Sequence, residues 1–152
     1  MDERLSPPLE DVDHLRGERG RELELVMFGD FQCPFCLGAQ SILRRLRDRL
    51  GDRLTFGFRH LPIPEKHPLA PMAAQASEAA AAQGKFWEYH DALFGAQPRL
   101  SRETMIAVGR DLASAAASGA TGTPTFFANG VRHFGAYDAS SLIEALKDTR
   151  TG

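Results

Sequence analysis

Cysteine is scarce in this chain: among 152 residues there are two, Cys33 and Cys36. No others remain for a stabilising disulfide framework, so the pair is not architectural. Zinc takes about four ligands, and there is no second cysteine pair to complete such a site. His60 and His67 could be recruited, but nothing in their spacing requires it. Neither a metal nor a bound cofactor is expected. Long apolar runs are also missing, since none approaches the roughly 18 residues of a membrane span. The N-terminus, Met1-Asp2-Glu3-Arg4, has no apolar segment of the secretory kind, which predicts a cytoplasmic protein with no direct membrane insertion. Nor is charge of one sign in excess: 18 Lys and Arg stand against 20 Asp and Glu, a net charge of −2. Nucleic acid is therefore not an expected partner. The nearest approach to a basic run, Arg44, Arg45, Arg47 and Arg49, reads as a solvated face that complements a helix C-terminus.

Hydrophobic residues at 43% and charged residues at 25% describe an ordinary globular chain of about one domain, 1–152. Residues 1–20 are polar and read as an arm. Leu23 to Phe28 becomes continuously apolar before Gly29-Asp30 breaks it, the pattern of a buried strand. From Pro34 to Leu50 the apolar positions Ala39, Leu43, Leu46 and Leu50 step by three or four, which predicts a helix ended by Gly51. Leu54 to Phe58 alternates as a second strand, giving a β-α-β unit with parallel strands. A helical insertion follows over about 65–120. Its first helix, Pro68 to Gln83, is alanine-rich with Leu69, Met72, Ala76 and Ala80 on one side. Phe86, His90, Leu93 and Phe94 mark a second stripe, with Phe86 and Trp87 as core anchors. Ser101 caps a third helix through Met105, Val108 and Leu112. Thr125–Ala128 and Val131–Phe134 flank Asn129-Gly130, a strong hairpin signal. A last helix from about Ser140 should face inward through Leu142, Ile143 and Leu146. The order is β-α-β, helical insertion, β-β-α, an α/β fold.

Cys33-Pro34-Phe35-Cys36 falls where the first strand hands over to the first helix. A thiol attacks a disulfide only as thiolate, and a free cysteine near pKa ~8.5 is mostly protonated at neutral pH. The first turn of a helix offers unpaired N–H groups and the positive end of the macrodipole. Cys33 stands at that end, and Pro34 loses nothing there by lacking an N–H. Cys36, one turn further in, can attack a mixed disulfide on Cys33. The spacing predicts an exposed nucleophile and a more buried resolving thiol. Phe35 between them brings no charge, so the pair should oxidise less strongly than a version with histidine there.

Taken together, Phe28-Gly29-Asp30-Phe31-Gln32-Cys33-Pro34-Phe35-Cys36, Phe58-Arg59-His60-Leu61-Pro62 with His67-Pro68, Gly84-Lys85-Phe86-Trp87 and Gly122-Thr123-Pro124-Thr125-Phe126-Phe127 resemble the DsbA-like branch of the thioredoxin superfamily. The match looks closest to bacterial cytoplasmic thioredoxin-like domains, some of them fused to sodium/proton antiporters. The resemblance implies a thioredoxin-like fold and a cis peptide at Thr123–Pro124 packed against the cysteines. Thr123 and Pro124, with Pro34 and Phe35, would then bind an extended substrate segment. His60 and His67 would lie in a loop packed beneath the helices rather than act as bases.

Two features depart from that pattern. The family commonly carries a buried acid six residues before the first cysteine, where this chain has Met27. Asp30 and Glu24 are near in sequence, but strand alternation does not by itself determine whether either reaches Cys36. The helical insertion is also short, with residues 102–122 alone between Ser101 and Thr123. The missing part could leave an apolar face that homo-oligomerisation would cover. The expected function is a thiol–disulfide oxidoreductase acting on protein or small-molecule thiols and disulfides, as a reductase rather than an oxidase. The alternative is a non-catalytic docking or redox-sensing module beside a membrane transporter or other partner.

Overall fold

The computed structural model describes residues 3–121 and 124–150. The chain packs as two compact units, Met1–Leu112 and Ala113–Gly152. Its elements in order are β1 (His14–Arg16), β2 (Leu23–Gly29), α1 (Pro34–Leu50), β3 (Leu54–His60), α2 (Ala70–Ala81), α3 (Phe86–Gly95), α4 (Arg102–Ala117), β4 (Phe126–Ala128), β5 (Val131–His133) and α5 (Ala139–Arg150). Short 3-10 turns precede β3 and α4.

In the first unit the sheet order is β1-β3-β2. β2 runs parallel to β3 from Leu23↔Leu54 to Gly29↔His60, as a β-α-β unit requires. β1 pairs antiparallel with β3 through His14↔Phe58 and Arg16↔Phe56. Three residues are too few to show a period, so this strand within the N-terminal arm has no sequence signal. It is nevertheless well fastened. Arg59 holds both oxygens of Asp13, at 2.8 Å each, and reaches the carbonyls of Pro7 and Pro8. Leu9 is buried over Gly57, where an added Cβ would come within 2.7 Å of the leucine side chain. A side chain at this position would push the leucine methyl aside.

Residues two apart on a strand share a face. Phe56, Phe58 and His60 accordingly pack on α3, through ring contacts with Trp87, His90 and Phe86 respectively. Phe31, Leu43, Tyr89, Leu93 and Phe94 complete this core. Phe31, Phe56 and Phe58 are each 1% exposed, and burial of each stabilises the unit by about 2–3 kcal/mol. Phe86 is buried as expected, and Trp87 donates its indole N–H to the Leu15 carbonyl at 2.8 Å. Of the stripe expected on α2, Leu69, Ala76 and Ala80 pack against the core and Met72 is exposed, while the fully buried positions are Ala70, Ala73 and Ser77. Small side chains carry little periodic signal, and close approach rather than apolar size selects the buried face. Ser101 caps α4 by accepting from the Thr104 N–H at 3.0 Å.

In the second unit β4 and β5 form the hairpin that Asn129-Gly130 signals, with φ of 48° and 83° at those residues. α5 starts behind Asp138, which accepts from the Ser141 N–H at 3.0 Å. The inward face expected for α5 needs correction. Leu142 is half-buried, but Ile143 and Leu146 are 50% and 44% exposed. A hairpin of two three-residue strands has too little surface to bury them.

Candidate active site

Gly29 closes β2, and a compact turn carries the chain into α1, with the Cys33 N–H bonded to the Asp30 carbonyl at 3.1 Å. Pro34 occupies the first helical position and Cys33 is the N-cap, with φ −77° and ψ 121°. No side chain caps this end, so its amide groups and the positive pole of the helix face the Cys33 region. Both cysteines are free and half-buried. Pro34 and Phe35 are exposed, Phe35 by 89%, and they form an open apolar rim around the pair.

The two thiols lie near each other, and Cys36 is strongly affected by its surroundings. Burial pushes the Cys36 thiol up to about 11. Hydrogen bonding from the Asp30 main chain opposes the shift, while the Cys33 thiol and the Asp30 carboxylate reinforce it. At neutral pH Cys36 is thus held as a thiol until a proton acceptor is available.

Several polar residues around the pair escape sequence reasoning because their partners are distant in the chain. Asp30 is 4% exposed. Its carboxylate accepts from the Gln32 N–H at 2.8 Å, the Ile63 N–H at 3.1 Å and His67 Nδ1 at 2.9 Å. Gln97, also buried, donates its amide to the carbonyls of Phe31 and Cys33 at 3.0 and 2.7 Å. Gln32 in turn accepts from the Leu69 N–H at 2.8 Å. The turn before α1 is therefore clamped from three sides. Met27 is half-buried against the core. Glu24 lies outward on β2, so of the two nearby acids only Asp30 comes to Cys36. Pro124 is exposed, whereas Thr123, and with it the Thr123–Pro124 peptide, lies outside the described residues.

No protein-family model matches the chain. Among curated proteins it is 41% identical to an Na(+)/H(+) antiporter NhaA of Herminiimonas arsenicoxydans, over 97% of this chain and 27% of the antiporter. The chain thus spans about a quarter of the length of the relatives it matches. That alignment runs over 173 residues but takes in only about 147 of this chain (97% of 152), so about 26 positions have no counterpart here. Among solved structures it is similar to the thiol-disulfide exchange protein alpha-DsbA2 of Wolbachia pipientis. The TM-score is 0.58 at 17% identity, covering 93% of this chain and 63% of that one. The catalytic domain of Proteus mirabilis ScsC gives a TM-score of 0.56 at 19% identity, covering 92% and 90%. These likenesses show the fold, which is α/β and thioredoxin-like. No helix among the described residues is long and apolar enough to cross a membrane.

Proposed function

We propose that this chain is a thiol–disulfide oxidoreductase working through Cys33 and Cys36 without a bound cofactor. One observation carries the reading: a half-buried cysteine at an uncapped helix N-terminus, with a second thiol one turn inside, pushed up to about 11. Cys33 as thiolate attacks a substrate disulfide, forming a mixed disulfide and releasing one substrate thiolate. Cys36 loses its proton and attacks the Cys33 sulfur, which closes the Cys33–Cys36 disulfide and releases the second thiolate. Two electrons pass to the substrate, and an external thiol restores the pair. In a reducing compartment the protein runs as a reductase, in keeping with the uncharged Phe35.

Asp30 takes the place of the acid absent at Met27. Its carboxylate acts on Cys36 and is held by His67, a route by which the resolving proton leaves. Pro34 and Phe35, exposed beside the thiols, dock the substrate chain. The antiporter relatives and Met27 favour a second reading, a redox-sensing module attached to a transporter of that kind. Dithiothreitol-driven reduction of a protein disulfide separates the two. An enzyme accelerates it and Cys33→Ser abolishes the acceleration, while a sensing module leaves the rate at that of dithiothreitol alone.

A further inference from the structure

Away from the thiols, three chemistry-bearing side chains converge from three elements of the first unit. The β1–β3 register sets His14 opposite Phe58, diagonal to His60 and on the same face. α2 carries Glu78 to the same spot. His14 Nε2 and His60 Nε2 both point at one atom, Glu78 Oε1, at 2.5 and 2.7 Å. All three ligand atoms lie within 4.8 Å of one another.

We propose that His14, His60 and Glu78 form a three-ligand site for a divalent first-row cation of the zinc type, with its fourth position open to water. Two imidazoles and one carboxylate suit zinc and its neighbours rather than calcium or magnesium, which prefer oxygen ligands. The rings are held in place before any ion arrives. His14 stacks flat on Phe86, with centroids 3.6 Å apart and planes 4° apart. His60 stands edgewise to Phe58 and Phe86. The buried Nδ1 of His60 has no partner among the described residues, so this ring reaches a polar group only through Nε2. Nitrogen–zinc distances are about 2.0–2.1 Å, so a small withdrawal of Glu78 opens a place for the cation between the two nitrogens. Glu78 is 50% exposed and free to make that shift. A bound cation would tie β1 and α2 to the end of β3.

The alternative is a simple hydrogen-bonded staple, and Glu78→Gln distinguishes the two. The amide oxygen still accepts from both imidazoles, so a staple survives, but a neutral amide is a poor zinc ligand. The test uses the full chain carrying Cys33→Ser and Cys36→Ser, which removes the thiols as competing ligands. After chelator treatment it is titrated with Zn²⁺ by calorimetry and with Co²⁺ by visible absorption. The expected result is one equivalent bound, with cobalt bands free of sulfur charge transfer. His14→Ala, His60→Ala and Glu78→Gln should each weaken binding by about tenfold or more. Glu78→Gln should also keep the parent's circular dichroism and its melting temperature in chelator. No binding at millimolar Zn²⁺, or binding that all three substitutions leave unchanged, overturns the proposal.

Discussion

Alkylation of Cys36 in the Cys33→Ser variant tests how strongly its burial controls its chemistry. With its pKa pushed up to about 11, Cys36 is thiolate in only about one molecule in 10⁴ at pH 7. A cysteine at the ordinary value of 9.0 would be thiolate in about one in 10². A more basic thiolate is also more nucleophilic, and with a Brønsted coefficient of about 0.4–0.5 two pKa units recover about tenfold. Cys36 should therefore react about tenfold more slowly than an unhindered thiol at neutral pH. With iodoacetamide in short pulses from pH 6 to 10.5, read by mass spectrometry, the rate should rise tenfold per pH unit through pH 9. Replacing Cys33 removes its share of the shift, so the bend should lie below about 11 yet above 9. Burial is the largest cause, so unfolding in urea should bring the bend down to the ordinary range and raise the neutral rate. A bend at or below pH 9 in the folded protein would refute the reasoning.

Other consequences follow from named contacts. Asp30→Asn separates two roles of that carboxylate: as a charge it raises the Cys36 pKa, so its loss would speed resolution, whereas as a proton acceptor its loss slows it. Slower closure of the Cys33–Cys36 disulfide at pH 7, measured by quenched flow, is expected, and faster closure sinks the acceptor role. Gln97→Ala leaves the Phe31 and Cys33 carbonyls without their amide donor and should cost about 2–3 kcal/mol in urea unfolding. Leu93→Ala, at a fully buried core position, should cost about 3–4 kcal/mol by the same measurement. Arg59 beside Asp13 holds that carboxyl down to about 2 from an ordinary 3.8. Its stabilisation is present above the unfolded value and lost as pH falls through about 2. Asp13→Asn should thus be less stable than the parent by about 1–2 kcal/mol at pH 7, with the gap closing between pH 4 and 2.

What the sequence could disclose depended on how local each cause is. α1 keeps its expected bounds because Pro34 and Gly51 punctuate it, and the hairpin follows from Asn129-Gly130 alone. β1 is invisible because three residues show no period, and its fastening by Arg59 is a contact 46 residues away. The thiols and the helix end were legible for the same local reason. Asp30, His67 and Gln97 were not, since their roles depend on hydrogen bonds across 33 to 66 residues. Met72 on α2, and Ile143 and Leu146 on α5, are exposed against expectation where small side chains or a small sheet removed the usual link between apolar period and burial.

Trapping the mixed disulfide tests the central claim most directly. Reduced Cys36→Ser protein, mixed with a disulfide-containing peptide, should accumulate a covalent adduct on Cys33 that dithiothreitol releases. Cys33→Ser should form it about tenfold more slowly or slower still, because Cys36 is half-buried and held as a thiol. Equal adducts from both variants, or none from either, would contradict the assignment of Cys33 as nucleophile and Cys36 as resolving thiol.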